Sequence, residues 1–182
     1  PVAFQIFSFE IRWYSLAYII GITLGWLYCK KRLIKDSYIL EIFDDFISYL
    51  IIGVILGGRI GYVLFYNIKY YLENPMEILM IWNGGMSFHG GLIGVIYAIW
   101  LYARKMNLHL FTLADFLTAS IPLGFFWGRI GNFINGELYG RVTESSIGMY
   151  FPNAGDYQLR HPSQLYEAFF EGIMLFLVIN YF

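Results

Sequence analysis

The side chains capable of chemistry concentrate in one stretch, 128–141, G-R-I-G-N-F-I-N-G-E-L-Y-G-R. It holds Arg129, Arg141, Asn132, Asn135, Glu137 and four glycines, and it comes directly after the apolar run that ends at Trp127. Arg129 therefore stands where a membrane helix should still be in hydrocarbon, and an ionisable group there is costly and needs a reason. A snorkelling arginine in a glycine-rich loop is the plain alternative. Arg129, Asn132, Asn135 and Glu137 are too closely spaced for a lipid-facing helix, which argues against it.

Two more polar residues interrupt apolar runs: Arg59 in G-G-R-I-G-Y at 57–62 and His89 in S-F-H-G-G at 87–91. A guanidinium is a planar fork suited to phosphate. A histidine can accept a proton near neutral pH, although His89 also fits a hydrogen bond to a neighbouring helix. Asn132, Asn135 and Glu137 suit hydroxyl binding, orientation of an arginine, or capping of a helix end. Tyr14, beside Trp13, is most simply an interfacial aromatic. No nucleophile stands with this set, since Cys29 lies at the opposite end of its run. Phosphate binders and a base without a nucleophile suit direct transfer between two bound substrates. A single cysteine and histidines at 89, 109 and 161 give neither a disulfide framework nor a metal-ligand spacing, so no metal is expected, and direct transfer between two bound substrates needs no cofactor.

The elements that must position these groups are membrane helices. Of 182 residues 58% are hydrophobic, 21% aromatic and 14% charged, with mean hydropathy +0.56. An ordinary soluble domain carries about 25% charged residues. The apolar runs are long and do not alternate with period two, so the expected fold is all-α, a polytopic helical membrane protein. The net charge of −1 gives no field for nucleic acid. Five spans are expected: 13–28, 46–68, 84–103, 116–133 and 163–182. The aromatic, more polar segment 69–82 reads as interfacial. Lys30, Lys31, Arg32 and Lys35 place the 30–45 loop in the cytoplasm, with Arg104 and Lys105 on the same side. The N-terminus and the polar segment 135–160 then lie outside. No secretory signal peptide is recognisable, because the basic cluster comes after the first apolar run. One transmembrane domain over 1–182 is the simplest organisation. The chain begins without Met and stops without a basic anchor, so both ends read as cut.

Depth links the unusual residues. Arg59 is 14 residues after Asp45, Arg129 is 14 after Asp115, His89 is 15 before Arg104 and Tyr14 is 16 before Lys30. At about 1.5 Å per residue, all four fall roughly 21–24 Å above the inner boundary of a core about 30 Å thick. A common level in the outer leaflet is expected, provided each charge marks the boundary.

The stretch 128–141 resembles the signature of the bacterial phosphatidylglycerol–prolipoprotein diacylglyceryl transferases. The resemblance extends to R-W-Y-S-L-A-Y at 12–18, G-G-R-I-G-Y at 57–62, G-G-M-S-F-H-G-G at 84–91 and R-H-P-S-Q-L-Y-E at 160–167, and is weak near 29–45 and 142–158. It implies a multi-pass enzyme of the bacterial inner membrane with its active site toward the outer leaflet. That enzyme moves the diacylglyceryl group of phosphatidylglycerol to the lipobox cysteine thiol of a prolipoprotein and releases glycerol-1-phosphate, the first step of lipoprotein maturation. Its partners are phosphatidylglycerol, lipobox peptides and membrane lipids. It further implies that Tyr14, His89, Arg129, Asn132, Glu137 and Gly140 matter for activity. The phosphate is expected on Arg129, helped by Arg59 or Arg141, with Asn135, Gly140 and Arg160 also on the substrate side. The family normally has seven membrane helices, and its last part carries a further arginine and glutamate. With five expected spans, residues 1–182 alone are expected to insert but not to catalyse. The competing reading is a small anion transporter or channel with an arginine-lined pathway. The apolar inner half of each span argues against it.

The orientation is testable with single cysteines at Ser37 and Ser145 in a Cys29→Ser background, labelled by an impermeant thiol reagent in spheroplasts. Ser145→Cys should label and Ser37→Cys should not; the reverse pattern overturns the orientation.

Overall fold

The computed structural model describes residues 2–6 and 9–181. Within these, the chain starts as an antiparallel ribbon, β1 (Val2–Ile6) and β2 (Phe9–Arg12), with Ile6 opposite Phe9, Gln5 opposite Glu10 and Phe4 opposite Ile11. A bulge lies between Val2 and Phe4. This ribbon is a feature the hydropathy of the chain does not announce, because F-E-I-R alternates for only four residues. The main elements after it are helices: α1 (Trp13–Tyr28), α2 (Ser37–Tyr66), α3 (Ile68–Glu73), α4 (Phe88–Lys105), α5 (Leu110–Asn135), α6 (Ser163–Glu167) and α7 (Leu175–Tyr181). A π turn at Cys29–Leu33 prolongs α1, and a second one at Ala168–Met174 joins α6 to α7.

The five expected runs correspond to helices, but two of them start early. Residues 37–45, expected in a loop, form the first turns of α2, because the Asp36 carboxylate accepts from the amides of Tyr38 and Ile39 and caps the helix. The fourth run begins at Leu110 rather than 116. Asp45 and Asp115 thus lie inside helices, so the charges used to count depth for Arg59 and Arg129 do not coincide with the helix starts. The segment expected at the interface forms α3 with two 3₁₀ turns after it, Pro75–Leu79 and Ile81–Asn83. Among the described residues, Leu110–Asn135 is the helix long and apolar enough to cross a membrane by length and composition. Ile19, Leu56, Ile93 and Leu177 are exposed along their helices, an arrangement suited to lipid and costly in water.

The chain folds as two compact units, one built from residues up to Leu33 together with those from Phe116 onward, the other from Ile34–Asp115. In the second unit α2 and α4 touch backbone to backbone. Gly53, Gly57 and Gly61 recur every four residues on α2 and face Gly90, Gly94 and Ala98 on α4. A side chain on Gly57 would collide with the Gly90 carbonyl, and one on Gly94 with the Gly53 carbonyl. This is the small-residue packing through which membrane helices gain van der Waals contact. Toward the other end of the pair, Phe43, Phe46 and Tyr102 are fully buried, and the Tyr102 hydroxyl donates to the Ile42 carbonyl at 2.7 Å.

In the first unit, Gly21 and Gly25 of α1 lie against Gly124 and Ser120 of α5, and Gly172 in the π turn lies against Phe126. Pro122 removes a backbone donor inside α5. Near it in the chain, the Ala119 carbonyl accepts from Asn180 Nδ2 at 3.0 Å, while Asn180 Oδ1 accepts from the Tyr28 hydroxyl at 2.7 Å. One amide thus ties three helices together.

Gly57→Val should force α2 and α4 apart and cost about 1–3 kcal/mol through overpacking. In detergent this lowers Tm by about 2–4 °C per kcal/mol for a chain of this size. Gly124→Ala, whose new Cβ meets no atom within 4 Å, should leave Tm unchanged or raise it slightly. Equal melting of Gly57→Val and wild type would mean that the helices are not apposed at this glycine.

Candidate active site

The end of α5 builds a polar cluster from Asn132, Asn135 and Glu137. Asn135 closes the helix and Gly136 comes next with φ +66°. The Gly136 amide donates to the Phe133 carbonyl and the Glu137 amide to the Asn132 carbonyl. This pair of bonds is the Schellman turn, which needs a left-handed residue where the sequence supplies glycine. The turn throws the Glu137 side chain back onto the helix. There its Oε1 accepts from Asn132 Nδ2 at 2.9 Å and Asn135 Nδ2 at 3.3 Å. Asn153 covers the open carbonyls of Asn135 and Gly136. The geometry gives the side chains of Asn132 and Asn135 a task outside those expected from the sequence, holding the carboxylate of Glu137, while the capping falls to Asn153.

The chain leaving this turn is clamped by α6. Gln164, fully buried, donates to the Glu137 carbonyl at 2.6 Å, and the Ser163 hydroxyl donates to the Leu138 carbonyl at 2.8 Å. The Gly140 amide donates to the His161 carbonyl at 2.9 Å, and a Cβ on Gly140 would lie 2.9 Å from that same oxygen. Glycine is required there for close approach of two backbones. Tyr14, in the first turn of α1, packs on Gly131 and shares a 3.0 Å hydrogen bond with the Tyr18 hydroxyl.

Arg129 lies two turns before the Schellman turn. Its Nε is 2.9 Å from Glu167 Oε2, and its Nη2 is 3.2 Å from Glu171 Oε2. The acids belong to α6 and to the π turn, so one guanidinium bridges two carboxylates four residues apart. The cluster carries a net charge of −1 by formal count, one cation against two anions. Glu171 is the more exposed of the two, 44% against 35%, and its Oε2 accepts from both Nε, at 3.3 Å, and Nη2, whereas Glu167 makes the single shorter contact. Both glutamates fall within the expected span 163–182, and nothing adjacent in the chain names their partner. The available signal was two acids at helical spacing in an otherwise apolar run.

Arg160 pairs with Asp156 at 2.7 Å, reaches the Gly140 carbonyl at 3.4 Å and lies over the Tyr139 ring. Arg141 is exposed with no side-chain ion pair among the described residues. Arg59 and His89 belong to the Ile34–Asp115 unit. His89 is exposed near the start of α4. Arg59 is only 4% exposed, and its guanidinium is committed to the backbone carbonyls of residues 77, 78, 80, 84 and 85. The free fork expected for phosphate is occupied at Arg59 by the protein itself.

A lipid-facing helical frame with a charged cluster at a helix end defines a membrane protein with an internal polar site. The chain belongs to the prolipoprotein diacylglyceryl transferase family, whose profile matches residues 1–182. It is 53% identical over 183 residues to the phosphatidylglycerol–prolipoprotein diacylglyceryl transferase of Rickettsia canadensis (strain McKiel), a match spanning 100% of this chain and 70% of that relative. It is 51% and 52% identical to the proteins of the same name from Rickettsia felis (strain ATCC VR-1525 / URRWXCal2) and Rickettsia typhi (strain ATCC VR-144 / Wilmington), with the same coverage. It is therefore a member of a family of membrane transferases in lipoprotein biosynthesis.

The hydrogen bond from Arg160 holds the Asp156 carboxyl below its ordinary range. A depressed carboxylate contributes order that is present above the unfolded pKa of about 3.9 and is lost as pH falls through the lower folded value. A spin label on Tyr157→Cys, a site 98% exposed, should stay restrained down to about pH 4 and loosen below it. In Asp156→Asn the label should be loose at every pH. A pH-independent, restrained label in that variant would show that the pair does not order this segment.

Proposed function

We propose that this protein transfers the sn-1,2-diacylglyceryl group of phosphatidylglycerol to the lipobox cysteine thiol of a prolipoprotein. A sulfur–carbon bond forms and the carbon–oxygen bond to phosphate breaks. The thiol proton goes to a base and glycerol-1-phosphate departs with the electron pair. The observation that carries the reading is Arg129, a membrane-helix arginine held by side chains, beside the Glu137 turn, in a chain matched along its whole length by the family. Phosphate binding means that an anion displaces carboxylate from the guanidinium. Glu171, the more exposed carboxylate, is the group to yield; this frees Nη2 and its share of Nε, while the Nε contact with Glu167 keeps one counter-charge in place. Arg141, exposed and without an ion pair among the described residues, adds positive charge near the leaving group. Asn132, Asn135 and Glu137 offer acceptors and amides to glycerol hydroxyls, with Tyr14 packed against the same helix. His89 takes the thiol proton, because the thiolate is the nucleophile. Gly140 lets the chain after the Glu137 turn approach α6, and Arg160 orders the outer loop.

The enzyme sits in the bacterial inner membrane as a multi-pass protein, with the N-terminus and segment 135–160 on the periplasmic side and lipobox peptides and membrane lipids around it. The lysine and arginine bias around Lys30 and Arg104 supports this orientation.

The test is lipid transfer from phosphatidylglycerol to a lipobox peptide by the full-length protein carrying Arg129→Lys. Lysine keeps the charge and loses the fork. Activity should fall by about 100-fold, the scale of one lost transition-state donor. Detergent melting should shift far less. Transfer at the wild-type rate would remove Arg129 from phosphate binding.

A further inference from the structure

We infer that Arg59 is a positioning residue that acts through the backbone of residues 77–87 to set the first turn of α4, on which His89 stands. The inference rests on the proposed reading only for the catalytic use of His89. Its geometry stands within the Ile34–Asp115 unit alone.

Segment 77–87 lacks the repetitive hydrogen bonding of a long helix, and a backbone of this kind needs donors from elsewhere. Arg59 supplies them. Its Nε donates to the Ile78 carbonyl at 2.9 Å and its Nη1 to the carbonyls of Gly84 and Gly85 at 2.6 and 3.1 Å. Its Nη2 donates to the carbonyls of Glu77 and Met80. The Tyr71 ring lies 5.0 Å from the guanidinium carbon and closes the remaining face. Gly84 and Gly85 have φ of +83° and +81°, which turns their carbonyls toward the one cation. A Cβ on Gly85 would meet the Tyr62 ring at 2.5 Å and Arg59 Nη1 at 3.0 Å.

The same turn of α2 also fixes the start of α4. The Gly58 carbonyl accepts from the Ser87 amide at 2.9 Å, and the Ser87 hydroxyl accepts from the Gly90 amide at 3.2 Å as the N-cap of α4. His89 lies between Ser87 and Gly90, so its backbone is pinned by bonds that begin at residues 58 and 59. A buried guanidinium on five carbonyls has no donor left for phosphate, and breaking this set would strand several polar groups at once. Lysine, with three donors on a single nitrogen, cannot span the five carbonyls.

The experiment compares wild type with Arg59→Lys, His89→Gln and their double variant, in full-length protein reconstituted with phosphatidylglycerol. Amide hydrogen exchange reads the clamp without any reference to activity. Protection of residues 84–90 should fall by about ten-fold or more in Arg59→Lys, while that of 116–133 stays unchanged. Gly85→Ala should give the same pattern from the carbonyl side, which covers the case in which Arg59→Lys does not fold. Unchanged protection of 84–90 overturns the inference. In the transfer assay, Arg59→Lys should lower kcat by about ten-fold or more and keep KM for phosphatidylglycerol within about two-fold. The double variant should be no slower than the slower single variant, since both losses act through one group. A raised KM at constant kcat would make Arg59 a lipid ligand, and multiplicative losses would separate it from His89; either overturns the inference. If His89→Gln alone transfers lipid at the wild-type rate, the proposed base is wrong, and the exchange result still decides the clamp.

Discussion

An arginine inside an apolar helix must find acceptors before the helix can be surrounded by hydrocarbon, and this protein meets that constraint in two ways. Arg59 gives all its donors to five backbone carbonyls, and Arg129 is paired through Nε and Nη2 with two side-chain carboxylates. The chemistry of the acceptors separates the two residues. Backbone carbonyls belong to the fold and cannot leave without unfolding the segment that carries them. Carboxylates stand on flexible side chains and can rotate away when another anion arrives. Two arginines in the same G-R-I-G setting therefore become a structural clamp in one case and an exchangeable binding group in the proposed active site in the other.

Glycine is the second half of this design. Backbone contact between α2 and α4 brings Gly58 and Ser87 within hydrogen-bonding distance, which lets the residues after Gly57 both hold and cap the incoming helix. Close packing at Gly21, Gly131 and Gly172 performs a similar task in the other unit, where α5 is lined by α1 and by the π turn. With no hydrophobic gain available between helices in lipid, such van der Waals contact and a few polar links such as Asn180 supply the cohesion. Near the site, Gly136 and Gly140 serve a different need, a left-handed turn and a backbone crossing that together keep Glu137 folded back on its helix.

Much of this was written in the sequence itself. The apolar runs announced the helices, because length and uninterrupted hydrophobicity translate directly into helix in a membrane-type composition. The polar residues closing the 128–141 stretch announced a helix end, and the motifs from 12–18 through 160–167 announced the family. Helix starts were less legible. Asp36 caps a helix whose first turns carry Glu41, Asp44 and Asp45, and acids read as loop when hydropathy is the guide. The ribbon at the N-terminus was too short for its alternation to register.

Partnership was decided by the tertiary structure alone. Nothing near Arg129 in the chain indicates that its counter-charges come from 38 and 42 residues further on, or that the five carbonyls around Arg59 lie 18 to 26 residues away. A sequence lists which groups can donate and accept; it does not say which of them meet. An arginine with free donors and one with none are the same letter, and only the folded backbone, by bringing carbonyls to one and carboxylates to the other, makes them different residues.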